Sequence, residues 1–372
     1  MKKNILILLP NDSLGGAEQY LKNIAEYFLK DSNNTIYIIF LKELNTGHWE
    51  HLKENNNIKV KYLKSKSEKK GLILLTKLIL LTKHIFNFRS RYFDYVFTSH
   101  VHLNGYCGIL KKINILKVKA LVSRESTLIF NRNFGKTRIF MFNFFYNFGY
   151  SSIDLLICQT ELMKEKLIKN LPWIDSKIKI KVIPNPINLS IQTKNFKNHF
   201  KFQEEYIVSA GRLIDVKGFD ILINSFSKIS NKYPKLKLVI LGEGEKRNVL
   251  KKQIGYLNLN NKIILLGHVE NVYPFFKNAK LCIVSSLVEG FPNVLLQMMS
   301  QNIKVVSTLC AGGIKNLKGV ITAPINNSSK LADAIEDTLS MESSKNRIYF
   351  DDELKNRTVG SFMQKVVKYL ND

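Results

Sequence analysis

The chain has 372 residues, of which 45% are hydrophobic and 23% charged, and its 56 Lys and Arg against 30 Asp and Glu give a formal net charge of +26. This length favours two lobes of about 150 to 200 residues, and the composition excludes a low-complexity or disordered chain. No run of about 18 uncharged apolar residues occurs, so no membrane-spanning helix is expected.

The positive charge favours an anionic partner, which can be nucleic acid, an anionic membrane face or a phosphate-bearing substrate. Lys far outnumbers Arg, the residue that reads base edges with two hydrogen bonds, so nucleic acid is the least favoured of the three. An A/T-rich genome would also enrich Lys, so part of the charge need not report a partner. The widely spaced cysteines are expected to be reduced thiols of a cytoplasmic protein: Cys107, Cys158, Cys282 and Cys310.

The first predicted elements are a buried strand at residues 3–9, a polar loop that ends in Gly15 and Gly16, and an amphipathic helix. The N-terminus imitates a secretion signal, but its apolar run stops at Pro10 without a small-residue cleavage site, so a strand is the better interpretation. A strand, a glycine turn and a helix open a Rossmann-like unit, in which glycine lets the backbone approach a ligand. The glycine pair can also serve only the chain reversal.

Polar residues follow two neighbouring strands of the predicted first sheet. His100 and His102 follow a strand at 93–99, and Arg124 and Glu125 follow the next strand. In a parallel sheet with helices on both faces, ligand groups gather at the carboxyl ends of the strands. A hydrogen-bonded loop residue is the alternative interpretation of either histidine. The other strands of this lobe are predicted at 34–41, 57–63, 117–123, 153–158 and 178–183.

Two segments of the first lobe, 64–91 and 128–150, are basic and strongly apolar. The first contains a single acidic residue, Glu68, and the second contains none. A basic, apolar helix too short to span a bilayer suits binding in the membrane interface, so we hypothesise that both segments dock on an anionic membrane surface. The alternative is that both are helices packed on the sheet, with their lysines in solvent.

A second αβ series is predicted to begin after the prolines of segment 183–188, which break any helix. Glycine turns follow several of its strands, among them one with Gly242 and Gly244 and one with Gly312 and Gly313. The strands are expected at 206–210, 236–241, 262–266, 280–285 and 303–308, and the helices at 219–231, 245–256, 272–277 and 358–370.

The strand at 280–285 leads through Glu289 and Gly290 to a helix in which Pro292 is expected to hold the first position. One side of this helix is apolar, with Val294, Leu295, Met298 and Met299. A helix N-terminus carries free backbone N–H groups and a partial positive charge, which favour a phosphate. The alternative is an ordinary strand, turn and helix with a surface glutamate.

Arg212 and Lys217 share one glycine-flanked loop after the strand at 206–210. If both faced the helix at Pro292, they would neutralise a diphosphate without a metal, at roughly 1.5 to 3 kcal/mol for each charge-assisted hydrogen bond. The sequence has no DxD motif, no HExxH motif and no clustered carboxylates, so a metal is not expected.

Five motifs occur in a fixed order along the chain: Gly15-Gly16-Ala17-Glu18, Gly211-Arg212-Leu213 with Lys217-Gly218-Phe219, Leu241-Gly242-Glu243-Gly244, Glu289-Gly290-Phe291-Pro292-Asn293-Val294-Leu295-Leu296, and Gly312-Gly313. Over nearly the whole chain they resemble glycosyltransferase family 4, whose members are sugar-nucleotide-dependent enzymes of the GT-B fold. The resemblance implies an α/β protein with two Rossmann-like lobes facing a central cleft. The acceptor lobe would span 1–185, the nucleotide-sugar lobe 186–355, and a last helix at 356–372 would pack back on the first lobe.

The resemblance also implies roles for single residues. Arg212 and Lys217 would hold the donor diphosphate, Glu289 would contact the donor sugar or stabilise positive charge on it, and His100, or else His102, would lie near the reacting centre. The family works without a metal, so no metal and no cofactor are expected. The remaining residues expected to bind the donor are Gly15, Gly16, Gly242, Gly244, Gly290, Phe291, Pro292, Asn293, Val294 and Gln297.

Two positions depart from the family pattern. Gln297 stands where the family usually has a second Glu that bonds the ribose, and loss of that charge predicts donor binding weaker by about 1 kcal/mol. The loop after Gly313 is short and basic, at 314–318, where the family commonly has a Glu. Both departures bear on which donor is used.

The expected function is therefore that of a bacterial, metal-independent, retaining glycosyltransferase. It would move a hexose or N-acetylhexosamine from a nucleotide sugar, with UDP the expected nucleotide, to a lipid-linked or surface-polysaccharide acceptor of lipopolysaccharide or capsule type. It would lie in the cytoplasm, peripherally on the cytoplasmic membrane. Two alternatives from other classes are a catalytically impaired sugar-nucleotide or glycan binder, favoured by Gln297, and a nucleic-acid binder, favoured by charge alone.

Overall fold

The computed structural model describes residues 2–63, 70–86, 91–126, 135–189 and 204–372. It divides into two compact units, of which the first comprises Met1–Pro186 and Val359–Asp372 and the second Ile187–Thr358. The boundary expected from the sequence lies after residue 185, and the expected start of the last segment is residue 356. The chain thus leaves the first unit at the prolines of the connecting segment and returns to it with its last helix.

The first unit is built on a seven-stranded sheet in the order β3-β2-β1-β4-β5-β6-β7, and every pair of neighbouring strands is parallel. Its strands are β1 (Asn4–Leu9), β2 (Thr35–Phe40), β3 (Ile58–Tyr62), β4 (Phe93–Thr98), β5 (Val118–Arg124), β6 (Leu155–Cys158) and β7 (Ile180–Val182). Its helices are α1 (Gly16–Phe28), α2 (Glu50–Lys53), α3 (Lys70–Phe86), α4 (Val101–Lys112), α5 (Lys136–Gly149), α6 (Glu161–Asn170) and α7 (Ile174–Lys177), together with the last helix of the chain.

The central strands of this sheet bury side chains on both faces, which is why β1 is a continuous apolar run rather than an alternating one. One face is covered by α1, whose Leu21 and Ile24 are buried. The last helix, Val359–Asn371, packs beside α1 and contributes Phe362 and Val366 to the same cluster. The Tyr20 and Phe362 rings meet edge to face at 5.5 Å. The last helix therefore completes the core of the first unit.

The second unit contains a six-stranded parallel sheet in the order β10-β9-β8-β11-β12-β13. The strands are β8 (Tyr206–Ala210), β9 (Lys237–Leu241), β10 (Ile263–Gly267), β11 (Leu281–Val284), β12 (Val305–Thr308) and β13 (Val320–Ala323). The helices are α8 (Phe219–Ile229), α9 (Arg247–Tyr256), α10 (Tyr273–Asn278), α11 (Asn293–Gln301), α12 (Ser328–Ser340) and α13 (Asn346–Lys355), and the last helix of the chain is α14.

The predicted α/β class with two Rossmann-like lobes is confirmed, because both sheets are parallel and alternate with helices. The prediction missed β13, α12 and α13, which lie between residues 319 and 356. It was also wrong by one residue about Pro292, which is the residue before α11 and has extended backbone, with φ −76° and ψ 106°. Leu296 is buried on the apolar side of α11, whereas Val294 is only partly buried.

The described part of α3 packs on the first sheet, because Leu78, Leu81 and Ile85 are buried in the core. This arrangement agrees with the packing alternative for that part of segment 64–91. The membrane hypothesis for 64–69, 87–90 and 128–134 falls outside the described residues. Among the helices that the structure describes, none has both the length and the apolar character needed to cross a bilayer.

Helices α4 and α5 pack through glycines with their backbones in close contact. A Cβ added at Gly108 would lie 1.9 Å from the carbonyl oxygen of Gly149. A Cβ added at Gly149 would lie 1.9 Å from the carbonyl oxygen of Gly105. Side chains at these positions would force the two helices apart. The pair is therefore a rigid platform on the first sheet.

We predict that Gly108→Ala destabilises the first unit by roughly 2 kcal/mol or more, because a well-packed backbone contact cannot accommodate a methyl group. The tryptophans Trp49 and Trp173 both lie in the first unit, so the midpoint of fluorescence-monitored denaturation reports on that unit. The control is Gly135→Ala, because a Cβ at Gly135 meets no heavy atom within 4 Å. Equal midpoints for the two variants would contradict this packing.

Candidate functional site

The loops at the carboxyl end of the second sheet are fastened to one another by backbone contacts. Gly218, with φ +60°, lies so close to the loop after β11 that a Cβ there would be 2.3 Å from the Ser285 carbonyl oxygen. A Cβ at Gly242 would be 2.0 Å from the Gly211 oxygen, and one at Gly244 would be 2.4 Å from the Leu213 oxygen. The loops after β8, β9 and β11 therefore form one continuous surface, and glycine is required where they touch.

Lys217 and Glu289 meet on this surface. The Lys217 ammonium group forms a short ion pair with Oε1 of Glu289, and the Ser286 hydroxyl donates to the same oxygen at 3.0 Å. The backbone fixes both partners, because Ser285 Oγ donates to the Lys217 carbonyl at 2.9 Å and Glu289 N–H donates to the Cys310 carbonyl at 2.8 Å. The side chains are 19% and 16% exposed, so the pair is accessible but partly shielded from solvent.

Helix α11 begins four residues after Glu289. Gly290, Phe291 and Pro292 are buried, and Asn293 and Val294 are partly buried. The first N–H groups of a helix have no intrahelical acceptors, so this N-terminus supplies donors and a partial positive charge next to the ion pair in sequence. The guanidinium of Arg357 lies 4.7 Å from the centre of the Phe291 ring, and no motif in the sequence indicates this cation.

Arg212 and Gln297 are placed differently from Lys217. The Arg212 side chain is exposed, and in the part of the chain that the structure describes it has no hydrogen bond or ion pair. The structure therefore brings Lys217 and Glu289 into contact but shows no contact between Arg212 and either of them. Gln297 is partly buried and hydrogen-bonds the Tyr273 side chain, which opposes the rise in the Tyr273 pKa that burial causes.

In the first unit, His100 precedes α4 and lies beside a carboxylate at the start of α1. Its Nε2 is 3.4 Å from Glu18 Oε1. Burial alone would raise the pKa of Glu18, but hydrogen bonding and charge from His100, with backbone hydrogen bonds from Glu18 and Gly15, hold it below the ordinary value. A Cβ at Gly15 would lie 2.7 Å from the Glu18 carboxylate. Gly15 and Glu18 thus form half of a capping box, and this fixes the partner of His100.

The two histidines differ in environment. The His102 side chain is partly buried, and desolvation, with the charges of His100 and Arg138, lowers its pKa to about 3. It is therefore neutral at physiological pH. Glu18 contacts His100 and not His102 in the described residues, so His100 is the better candidate for a polar role at this edge.

Arg124 is buried and acts as an internal connector, not as a ligand group. Its guanidinium donates to Ser99 Oγ at 3.0 Å, to Asn185 Oδ1 at 2.7 Å and to the Gly16 carbonyl at 3.4 Å. It also lies 4.1 Å from the centre of the Tyr20 ring. One buried cation therefore joins the glycine loop, the loop before His100 and the connecting segment.

Glu125 is buried beside two tyrosines. The Tyr150 hydroxyl donates to it at 2.7 Å and the Tyr146 hydroxyl at 3.3 Å. Burial raises its pKa to about 7, although both tyrosines and Arg124 oppose the shift. Arg124 and Glu125 were expected where a ligand would bind, but both side chains are buried inside the unit because β5 is a central strand.

This burial predicts a pH dependence of stability. An acid with a raised pKa in the folded state keeps a proton that the unfolded chain releases, so its contribution falls as pH rises from 4.5 to about 7. The loss is roughly 3 kcal/mol at about 1.4 kcal/mol per pKa unit.

The measurement is fluorescence-monitored denaturation of the wild type and Glu125→Gln between about pH 5 and 8. The two proteins are compared because the titration of His102 changes stability in the opposite sense, and this effect is common to both and cancels in the difference. We expect the stability of the variant relative to the wild type to rise with pH. A constant difference would show that Glu125 does not titrate in this range.

The loop surface of the second unit carries the paired cation Lys217, the exposed cation Arg212 and the N-terminus of α11. This combination of positive groups suits a phosphorylated ligand. Within the described ranges, no group of three or more His, Cys, Asp or Glu side chains is close enough to hold a metal ion. Roles for Ser286, Tyr273 and Glu18 were not predicted from the sequence. Only Glu18 had a signal, which is its position three residues after a helix-capping glycine.

Comparison with known proteins defines the family. The sequence model described as Glycosyltransferase Family 4 matches residues 14–191, and the model described as Glycosyl transferases group 1 matches residues 190–352. The two matches adjoin and together cover most of the chain. The chain belongs to glycosyltransferase family 4, as the order of its glycine motifs predicted.

The chain is similar in sequence to two glycosyltransferases and similar in fold to one solved structure. An uncharacterized glycosyltransferase of Methanocaldococcus jannaschii is 32% identical over 242 residues, covering 60% of this chain and 57% of the relative. The N-acetylgalactosamine-N,N'-diacetylbacillosaminyl-diphospho-undecaprenol 4-alpha-N-acetylgalactosaminyltransferase of Campylobacter jejuni is 27% identical over 227 residues, covering 60% of each chain. The chain thus spans less than two thirds of the length of either relative. The crystal structure of Anabaena Alr3699/HepE in complex with UDP and glucose is 19% identical, with TM-score 0.78 and 100% of both chains covered, and shows the shared GT-B fold.

Proposed function

We propose that this protein is a retaining glycosyltransferase that transfers a hexose or N-acetylhexosamine from a UDP-sugar to a lipid-linked or surface-polysaccharide acceptor. The observation that carries the proposal is the convergence of Lys217 and Glu289 on the fastened loops of the second sheet. One loop supplies a cation and the other a carboxylate, and the carboxylate loop leads directly into α11. A diphosphate and the sugar attached to it need these two charges side by side.

The second unit binds the donor. When the bond between the anomeric carbon and the diphosphate breaks, its electron pair stays on the diphosphate, which gains negative charge. Lys217, Arg212 and the N-terminus of α11 stabilise that charge, which is electrostatic catalysis by prearranged groups. These positive groups take the place that a metal has in other transferases, so turnover in the presence of EDTA is part of the proposal.

Glu289 acts on the sugar side of the same bond. In the free protein its carboxylate is held by Lys217 and Ser286. When the diphosphate draws Lys217 away, the carboxylate is left beside the sugar, where positive charge develops in the transition state. Retention of the anomeric configuration follows from the family resemblance and is the least direct part of the proposal.

The first unit binds the acceptor. We propose that Gly16 lets the glycine loop approach a donor and that His100 acts at the reacting centre, with Glu18 as its positioning residue. The contact between Nε2 of His100 and Glu18 orients the ring and sets which nitrogen carries the proton. His102 stays neutral.

The identities of donor and acceptor rest on the relatives. The name of the Campylobacter jejuni relative specifies an N-acetylgalactosaminyl group and a diphospho-undecaprenol acceptor, and the Anabaena structure is a complex with UDP and glucose. A UDP-sugar and a lipid-linked acceptor are therefore the first choices for this chain. A lipid-linked acceptor also places the proposed enzyme at the cytoplasmic face of a membrane.

We predict that UDP or a UDP-sugar raises the melting temperature, whereas GDP- and ADP-sugars do not, since a ligand selective for the folded state stabilises it. With the donor so identified, Lys217→Ala and Arg212→Ala should each lower turnover by about 10²-fold or more, on the scale of a lost oxyanion donor. The control is Lys246→Ala, which removes a partly exposed cation that pairs with Asp215 of the same loop.

Near-normal turnover of Lys217→Ala would remove the donor site from this surface. Donor hydrolysis in the absence of acceptor separates the enzyme from the alternative of a silent sugar-nucleotide binder, which would show the thermal shift without any hydrolysis.

A further inference from the structure

Helix α5 has an exposed aromatic stripe that the core of the first unit does not use. Phe140, Phe144 and Phe148 are 75%, 44% and 56% exposed, and their spacing of four residues places them on one face of the helix. Ile139 beside them is also exposed, and the Phe144 and Phe148 rings pack together at 5.0 Å. Large apolar side chains in a contiguous exposed patch mark an interaction surface.

The opposite face of α5 is fixed. Phe142, Phe145 and Tyr146 are buried, and the helix lies against α4 through the glycine contacts described above. Tyr146 also donates to the buried Glu125. The helix therefore cannot turn to bury its outer phenylalanines without breaking this packing, so the stripe is held in place for something outside the unit.

The charge on α5 indicates what covers the stripe. The helix contains no acidic residue, and Lys136 and Arg138 stand at its N-terminal end. A net charge of +26 disfavours a second copy of the same chain and attracts an anionic surface. An apolar stripe edged by cations is the pattern of a helix that lies in the interface of an anionic bilayer.

We propose that α5 inserts Phe140, Phe144 and Phe148 into the headgroup boundary of an anionic bilayer, with Lys136 and Arg138 contacting lipid phosphates. The assignment is to α5 and not to α3, whose described apolar side chains mainly serve the core. This inference extends the proposed function by naming the surface that brings the enzyme to a lipid-linked acceptor. Membrane docking through α5 does not depend on the donor site, so an experiment can contradict the docking without contradicting donor binding, and the reverse.

The test is co-flotation of the full chain with vesicles of phosphatidylglycerol and phosphatidylcholine, and with vesicles of phosphatidylcholine alone, at low and high salt. We expect the wild type to bind the anionic vesicles and to be released by salt. The triple variant Phe140→Ser, Phe144→Ser, Phe148→Ser should lose affinity by about tenfold or more, because most of the apolar area available for insertion is gone. The control is Tyr256→Ser, since Tyr256 is 87% exposed but lies on α9 of the second unit.

Three readouts keep the outcome decisive. The melting temperature without ligand should be the same in the triple variant and the wild type, which shows an intact fold independently of donor binding. Phe140→Trp should report insertion through a blue shift of its emission on anionic vesicles. The mass in solution should be that of a monomer for both the wild type and the triple variant.

Equal vesicle binding by the wild type and the triple variant would overturn the proposal, as would a wild type that does not bind anionic vesicles. A wild-type dimer that the triple variant dissociates would assign the stripe to a second copy and would also overturn it.

Discussion

The ion pair between Lys217 and Glu289 is the interaction on which the proposed chemistry depends. It joins two loops from different strands of the second sheet, and both loops are held by backbone contacts that only glycine permits, at Gly218 and Gly242. In the free protein the two charges neutralise each other, which avoids the cost of a partly buried, unpaired charge. A diphosphate competes for the lysine, so the ligand itself would release the carboxylate. In the proposed mechanism the ion pair therefore exchanges partners: the Lys217 ammonium group moves to the diphosphate, and the Glu289 carboxylate becomes available to the sugar.

The first unit also contains a buried charge, that of Arg124, which must be compensated. Arg124 is buried, and its three donor contacts run to the glycine loop, to the loop before His100 and to Asn185 in the connecting segment. A buried guanidinium is costly unless its donors are satisfied, and here carbonyl, hydroxyl and amide oxygens satisfy them. These contacts fix three irregular segments to one point. The position of His100 relative to Gly16 is therefore a consequence of the core, and Glu18 then orients the histidine from α1.

The sequence was sufficient for the fold class and for the order of the glycine loops, because parallel strands are apolar runs and glycine turns recur after them. It missed β13, which has only four residues, and α13, which has no side-chain cap. It also missed α12, although Asn327 caps that helix by accepting from the Lys330 N–H at 2.9 Å and an asparagine at this position is a helix-start signal. It assigned Arg124 and Glu125 to a ligand edge because strand ends are where ligands bind, but burial of a side chain depends on neighbouring strands that periodicity does not reveal. It paired Lys217 with Arg212 from their shared loop, whereas the partner in the structure is Glu289, 72 residues away along the chain. Contacts at this separation are set by sheet order.

The most direct test of the partner exchange is calorimetric titration of UDP, without metal, into the wild type, Lys217→Ala and Glu289→Gln. We expect Lys217→Ala to weaken UDP binding by about tenfold or more, because a charge-assisted contact to the diphosphate is lost. Glu289→Gln should bind UDP as tightly as the wild type or more tightly, because the lysine no longer has to leave a carboxylate, while its turnover is lost. Unchanged affinity in Lys217→Ala, or an equal loss of affinity in both variants, would contradict the claim that these two residues exchange partners when the donor binds.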